Sequence, residues 1–142
     1  MAKEQSYSNH RRYYPWHHFV VQPILGLNFA IEIQRLVRDP SSSRWWAVIL
    51  AMGLLLLSLT ARAMALKAQD RVIRLEENFR LSRLQVDQAA IDSLRPGQLI
   101  ALRFASDAEV PDLVRRINAG ELTKGDEIKK SIRAWRADYL RV

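Results

Sequence analysis

The run from Trp45 to Ala61 constrains the fold more than any other part of the sequence. It holds seventeen consecutive residues without a charge, and Arg44 and Arg62 close it at its two ends. A hydrocarbon core about 30 Å thick needs roughly 20 residues of α-helix, and interfacial tryptophans with long arginine side chains supply the remaining length. A chain of 142 residues has too little other apolar material to enclose this helix. The run therefore predicts a transmembrane helix.

A second apolar segment, from His18 to Val37, precedes this run. We expect it to span the membrane as well, because apolar residues surround the helix instead of forming one stripe. The alternative is a helix that lies flat in the membrane surface. In a span, the polar groups need a partner on the other helix, on another protein or at the interface. The polar residues that interrupt the segment are Gln22, Asn28, Glu32 and Gln34.

Small residues mark where the two segments are predicted to pack. Gly26 and Ala30 lie four residues apart in the first segment, and Ala47 and Ala51 repeat the spacing in the second. Pairs of this kind let two helices approach closely in a membrane. Together with the polar Asn28 and Glu32, they are the predicted helix-packing positions of a hairpin.

The distribution of basic residues predicts the topology of the hairpin. Residues 38–43 form a short polar turn in which Pro40 ends the first helix. Basic residues near the membrane are more numerous on the two sides of the hairpin than in the turn, which predicts both termini in the cytoplasm and the turn outside. If the first segment instead lies flat in the membrane surface, the N-terminus stays in the cytoplasm and the C-terminal half lies on the other side of the membrane. The basic residues are Lys3, Arg11 and Arg12 before the hairpin, Arg38 and Arg44 in the turn, and Arg62, Lys67, Arg71, Arg74 and Arg80 after it.

The predicted organisation has three parts. Residues 1–17 form a cytoplasmic or interfacial segment, residues 18–66 the hairpin with spans of about 18–37 and 44–63, and residues 67–142 a cytoplasmic helical region. The corresponding fold is all-α: a transmembrane hairpin whose second helix extends into the cytoplasm, followed by a cluster of short helices.

Aromatic residues and two histidines stand directly before the first apolar segment. Tyrosine and tryptophan side chains prefer the head-group zone, so the simplest interpretation is an interfacial belt. The alternative makes His17 or His18 an axial ligand of haem or chlorophyll. Neighbouring residues of a helix point about 100° apart, so one metal cannot readily take both. No cofactor is predicted.

The second helix is predicted to continue without a break to about Leu84. Opposite charges four residues apart, Asp70 with Arg74 and Glu76 with Arg80, favour this continuation. Apolar residues that recur at helical spacing form a predicted interaction stripe on this helix. The stripe needs a partner, which is either the rest of this half or another protein. Its residues are Ala68, Val72, Leu75 and Phe79. The basic residues predicted to face lipid head groups are Arg62, Lys67, Arg71 and Arg74.

Beyond Leu84 the patterns indicate short helices. Residues 86–94 read as one helix that ends before Pro96, whereas residues 98–104 fit either a buried helix or a strand. Ser106 and Glu109 fit a capping box for a helix that ends near Gly120. A last helix is predicted from about Lys124, with an apolar face at Ile128, Ile132 and Trp135.

The sequence carries no recognisable reactive site. It has no cysteine, which excludes disulfides and thiolate chemistry, and it lacks the short signatures of zinc proteases, serine hydrolases and nucleotide binders. Asp107 with Glu109, and Asp126 with Glu127, stand at predicted helix starts, where acidic side chains complement exposed amide groups. We therefore predict neither a catalytic residue nor a metal site.

Four stretches of the sequence resemble a known family. They read NHRRYYPWHHFV from Asn9, AQDRVIRLEENFRL from Ala68, LIALRFASDAEV from Leu99 and IRAWRADYLRV from Ile132. Together they are similar to an uncharacterised family of small bacterial membrane proteins, domain of unknown function 6526. The resemblance implies a bacterial origin and a two-helix membrane hairpin with a cytoplasmic tail, and it implies no activity.

An enzyme is disfavoured because no reactive site is recognisable, and three non-enzymatic functions fit the sequence. The favoured hypothesis is a non-enzymatic accessory or scaffold subunit of a larger inner-membrane complex, with membrane lipids and other integral membrane subunits, or a second copy, as partners. The alternative is a membrane-tethered binder of anionic lipid or nucleic acid. From residue 62 onward sixteen basic residues meet twelve acidic ones, which is a modest excess for binding phosphate groups and favours lipid over nucleic acid. A pigment or haem subunit ligated by histidine is the third class.

Overall fold

The computed structural model describes residues 5–9 and 13–139. In these ranges the chain folds into six α-helices and has no extended strand beyond a single antiparallel bridge between Ala105 and Trp135. The predicted all-α fold is confirmed. The chain divides into two compact units, one of residues 13–66 and the other of residues 1–12 with 67–142. The predicted segment 1–17 is thus divided between the two units.

The unit of residues 13–66, called here the hairpin unit, contains two helical segments. The first opens with a π-helical stretch, Trp16–Val21, and continues as α1, Gln22–Arg38. Asp39 leaves the helical region of backbone conformation, and α2 begins after Pro40, at Ser42. Both Trp16–Arg38 and Ser42–Arg83 are long and apolar enough to cross a membrane.

Helix α2, Ser42–Arg83, is one helix of 42 residues, as the sequence predicts. It ends because Gln85 adopts a left-handed conformation with φ 57°. The amide of Gln85 then donates to the carbonyl of Ser82, and the amide of Val86 donates to that of Leu81. These two bonds form the motif that commonly caps a helix C-terminus, here with glutamine where glycine is usual.

The other unit, called here the C-terminal unit, packs four short helices against the end of α2. The helices are α3 (Gln88–Asp92), α4 (Pro96–Leu102), α5 (Val110–Asn118) and α6 (Gly125–Ser131). Residues 98–104, for which helix and strand were both open, therefore lie mostly in a helix. The largest fully buried side chains are Leu81, Leu99, Leu102, Phe104, Val110, Val114 and Ile128.

The predicted capping box at the start of α5 is not formed as expected. Ser106 Oγ lies 3.5 Å from Glu109 Oε1, at the limit of a hydrogen bond. The Glu109 carboxylate instead accepts from the backbone amides of Arg133, at 2.9 Å, and of Ala134. Glu109 thus fixes a distant segment of the chain.

The prediction that one helix carries Ile128, Ile132 and Trp135 is wrong. Helix α6 ends at Ser131, and Ile132 is extended, with ψ 126°. The chain then bridges to Ala105, and the Trp135 ring stacks on Phe104 with ring centroids 4.8 Å apart. The amides of residues 133 and 134 donate to the Glu109 carboxylate, and these hydrogen bonds compete with continuation of the helix.

Candidate interaction surface

One face of α2 beyond Leu66 packs against the rest of the C-terminal unit. Ile73, Glu77 and Leu81 follow one another at intervals of four residues and are only 6%, 4% and 0% exposed. Leu81 belongs to the main apolar core of the unit. This buried face explains why the helix remains ordered after the apolar run has ended.

A group of charges fixes the helix on that face. The guanidinium of Arg80 donates to the carbonyl of Ala105 at 2.7 Å and lies 3.1 Å from Glu77 Oε2. The same guanidinium lies 2.6 Å from Asp107 Oδ1, and Arg136 Nη1 lies 3.7 Å from Glu77 Oε1. Arg80 pairs in this way across the unit instead of with Glu76, the partner predicted by helical spacing.

Burial and charge shift the two carboxyl groups in opposite directions. Removal from water raises the pKa of Glu77, and this effect outweighs the lowering by Arg80 and Arg136. The hydrogen bond and the charge of Arg80 lower the pKa of Asp107, which lies at the surface. The network therefore contains two different carboxyl groups. Burial disfavours the ionised form of Glu77, whereas Arg80 stabilises the ionised form of Asp107.

The opposite face of α2 carries the predicted interaction stripe, called here the outer stripe: Ala68, Val72, Leu75 and Phe79. All four residues are exposed, with Val72, Leu75 and Phe79 54%, 72% and 68% accessible. The rest of the C-terminal half was one of the two predicted partners for this stripe. It packs against the opposite face of α2 and therefore leaves the stripe uncovered.

Two charged residues flank the outer stripe. Arg71 stands next to Val72, and Glu76 next to Leu75, and both side chains are exposed. Within the described ranges neither forms an ion pair with another residue. The surface thus combines apolar contact area with one charge of each sign.

The N-terminal segment, residues 5–9, contacts the C-terminal unit at α6 and at Asp138. Gln5 Oε1 accepts from the amide of Asp138 at 2.8 Å, and Gln5 Nε2 donates to the carbonyl of the same residue at 3.1 Å. Tyr7 Oη donates to Asp126 Oδ1 at 2.7 Å. This contact was not predicted, because a glutamine and a tyrosine in an unpatterned segment give no signal of it.

An aromatic and cationic cluster closes the core beside this contact. Phe104 is fully buried, and the guanidinium of Arg103 lies 4.5 Å from the centroid of its ring. Arg103 Nε also lies 3.4 Å from Asp138 Oδ2, while Trp135 stacks on the other side of Phe104. These contacts join α4 to the chain end and serve a structural role.

The predicted small-residue positions differ in their surroundings. Ala51 is 2% exposed and Ala47 is half-buried. Gly26 is half-buried, but a Cβ added there would meet no atom within 4 Å, and Ala30 is exposed. Of the four small residues, Ala51 is the one that is almost fully buried.

Polar contacts in the hairpin unit involve a residue that was not among the predicted site residues. Gln22 Nε2 donates to Ser58 Oγ at 3.0 Å and joins α1 to α2. Glu32 pairs with Arg35 on its own helix at 2.8 Å, and Asn28 is exposed. Of the polar residues in the first segment, Gln22 is the one that reaches the second helix.

The two candidate histidine ligands have local neighbours. His18 Nδ1 lies 3.0 Å from the carbonyl oxygen of Tyr14, and His17 Nε2 lies 3.3 Å from Gln22 Nε2. Their rings meet edge to face at 5.1 Å. In the part of the chain that the structure describes, no three histidine or acidic side chains are grouped in a way that could hold a metal ion.

The predicted lipid-facing basic residues are mostly accessible. Lys67, Arg71 and Arg74 are exposed, and Arg62 is half-buried. Of the other basic residues used for the topology, Lys3, Arg11 and Arg12 lie outside the described residues.

Comparison with known proteins gives one match. A family model described as a family of unknown function, DUF6526, matches residues 1–142. No curated protein and no solved structure matches the chain.

Proposed function

Because the chain belongs to DUF6526, a family without an assigned function, we propose from geometry and composition that it is an integral membrane protein of the bacterial inner membrane. It acts without catalysis of its own, as an accessory or scaffold subunit of a larger assembly. The outer stripe, together with the hairpin, forms its contact surface.

The outer stripe is the observation that carries this proposal. Three large apolar side chains lie exposed on a helix whose other face is already packed. Lipid is a poor cover for them, because the exposed charges of Arg71 and Glu76 flank them and charged side chains are costly in hydrocarbon. Exposed apolar surface rimmed by charge is typical of a protein-protein contact.

The hairpin unit supports the membrane location. Ala51 is the one buried residue among its described residues, while Ile24, Leu27, Leu50 and Leu57 are each 60% to 64% exposed. Apolar side chains that point outward around a helix suit lipid and not water.

The N-terminal segment supports a hairpin over a single crossing. Gln5 and Tyr7 contact Asp138 and Asp126, so the segments before and after the two long helical segments belong to one compact unit. The chain between them must then cross the membrane an even number of times. Two crossings, with α1 as a span, meet this condition, whereas a flat α1 does not. The excess of basic residues outside the turn favours the cytoplasmic side for both ends.

The alternative of a basic surface for nucleic acid is weakened by ion pairs. Arg115 lies against Asp112, and Arg116 Nε lies 3.1 Å from Glu121 Oε2. Lys130 Nζ lies 2.9 Å from Asp126 Oδ2. These carboxylates oppose phosphate at the positions that the sequence offered for binding it.

Three measurements test the proposal. A reporter fused to the C-terminus should report the cytoplasm, and alkaline extraction should leave the protein in the membrane. Purification in mild detergent should then give a complex larger than the monomer, which the Leu75→Arg variant should lose. The Asp70→Arg variant introduces the same side chain away from the stripe and should retain the complex. A monomer alone from the wild-type membrane, or a C-terminus outside the cytoplasm, would contradict the proposal.

A further inference from the structure

We propose that the outer stripe pairs with the outer stripe of a second copy of this chain, as a short parallel two-helix coiled coil. This inference deepens the proposed function and rests on its membrane hairpin. The partner that covers the stripe is a second copy of the same protein, and Arg71 and Glu76 are the residues that select this partner.

The spacing of the stripe is that of a coiled-coil seam. The intervals from Ala68 to Val72, Leu75 and Phe79 are four, three and four residues. Such alternation places the residues at the a and d positions of a heptad, with Val72 and Phe79 at a and Ala68 and Leu75 at d. A β-branched residue at a with leucine at d favours two strands in a parallel coiled coil.

The flanking charges fit a parallel pairing of two identical helices. With Val72 at a, Arg71 occupies the preceding g position and Glu76 the following e position. In a parallel pair, g on one helix faces the e position five residues later on the other, and these contacts set partner choice and orientation. Arg71 of each copy therefore faces Glu76 of its partner, and twofold symmetry makes two such pairs.

The antiparallel arrangement brings like charges together, because e then faces e and g faces g. Arg71 would meet Arg71 and Glu76 would meet Glu76, which is unfavourable. Two copies inserted in one membrane with the same topology also have their α2 helices in the same direction. Charge and topology thus select the same orientation.

The existing contacts of the C-terminal unit leave room for this pairing. Ile73, Glu77 and Leu81, which face the unit, occupy heptad positions b, f and c, on the side away from the seam. Each copy keeps its buried face and its Arg80 contacts when the stripe is covered.

Membrane anchoring compensates for the short length of the seam. Helical segments of this size associate weakly when they are free in water. Confinement of both copies to one membrane raises their effective concentration without any new contact. The pairing is therefore expected in the membrane and is expected to weaken on dilution into detergent.

Disulfide cross-linking tests this inference, because the sequence contains no cysteine and an introduced cysteine is its single thiol. Full-length Leu75→Cys protein in native membranes should form a disulfide-linked dimer under mild oxidation. The Asp70→Cys variant, with its thiol at an f position on the side away from the seam, is the matched control and should form severalfold less. Equal cross-linking of the two variants would overturn the inference.

The charge assignment is tested in the Leu75→Cys background. Arg71→Glu alone, or Glu76→Arg alone, should lower the dimer yield severalfold, and the double exchange should restore it. Failure of the double exchange to restore the yield would overturn the role of these two residues. Protease resistance of the C-terminal unit in every variant shows that folding is retained.

A second readout separates this inference from the proposed function. Two differently tagged wild-type copies expressed together should co-precipitate from membranes cross-linked with an amine-reactive reagent. If Leu75→Cys forms disulfide adducts with a different protein and none with itself, the second copy is excluded and the scaffold function stands. If neither adduct forms and the protein is monomeric in mild detergent, both proposals are contradicted.

Discussion

The hairpin unit and the C-terminal unit place their apolar side chains differently. In described residues 13–66, Ala51 is the single buried residue, whereas residues 67–139 enclose fifteen buried apolar residues. The C-terminal unit supplies its own apolar interior from short helices, whereas the hairpin unit leaves its large apolar side chains mostly exposed. Apolar content alone therefore does not predict burial, and the surroundings that a segment needs follow from what the rest of the chain can cover.

Helix α2 contributes to both units without interruption. Before residue 66 its large apolar side chains are exposed nearly all round, and after it the buried residues fall on one face. The change coincides with the appearance of Lys67, Asp70 and Arg71. Charged residues therefore appear where the exposed apolar surface gives way to a single buried face, while backbone hydrogen bonding continues unchanged.

The largest expected effect is the loss of a core side chain from the C-terminal unit. Phe104→Ala removes a fully buried ring that stacks on Trp135, and should lower the free energy of unfolding of that unit by about 3–5 kcal/mol. Amide hydrogen exchange of residues 96–131 in the full chain measures the loss.

The matched change in the hairpin unit is Leu57→Ala, at a side chain that is 64% exposed. It should leave exchange in residues 96–131 unchanged. If Phe104→Ala does not accelerate exchange there, or if Leu57→Ala accelerates it equally, the contrast between the units is wrong.

A smaller effect is expected from pH, through the buried Glu77 carboxyl. Its raised pKa means that the folded chain binds more protons than the unfolded chain above the ordinary range of glutamate. This group therefore makes the free energy of unfolding fall as pH rises through the folded-state pKa, by at most about 1.4 kcal/mol per pH unit. Glu77→Gln should remove that fall, as measured by urea unfolding of the full chain in detergent across pH.

Asp107→Asn provides a control of opposite sign. The pKa of Asp107 is lowered, so its contribution is present above the ordinary range of aspartate and is lost on acidification. The Asn variant should lose less stability in acid than the wild type. Parallel pH profiles for Glu77→Gln and the wild type would show that burial does not control the protonation of Glu77.

The smallest expected effect concerns the hydrogen bond within the hairpin. A double-mutant cycle of Gln22→Ala and Ser58→Ala should give a coupling energy of about 0.6 kcal/mol, the average for such bonds between membrane helices. Unfolding of the full chain in mixed micelles measures it. A coupling near zero would mean that the two polar side chains are satisfied separately, and a much larger value would mean that this bond dominates the association of the helices.

Helical periodicity predicts much of this fold. The run from Trp45, the continuation to about Leu84 and the apolar face of α5 each depend on neighbours three or four residues apart, which sequence displays directly. The exposed stripe on α2 was found for the same reason. Local capping was predicted less well, since Glu109 found its donors 24 and 25 residues away.

Contacts between distant residues account for the rest. Nothing near Trp135 in sequence indicates that its ring leaves the helical pattern to stack on Phe104. Likewise, Arg80 meets Asp107 only because of the way the chain between them folds, and no local pattern indicates this pair. The outer stripe could be predicted as a surface, but which face of α2 the C-terminal unit covers follows from the packing of Ile73 and Leu81.

The bonds between Gln5 and Asp138 also set an order of events during synthesis. Ribosomes make the N-terminal side of a chain first, so Gln5 cannot pair with Asp138 until the 133 residues that follow it have been added. By then both long helical segments have already been synthesised. A chain truncated before residue 138 lacks this contact.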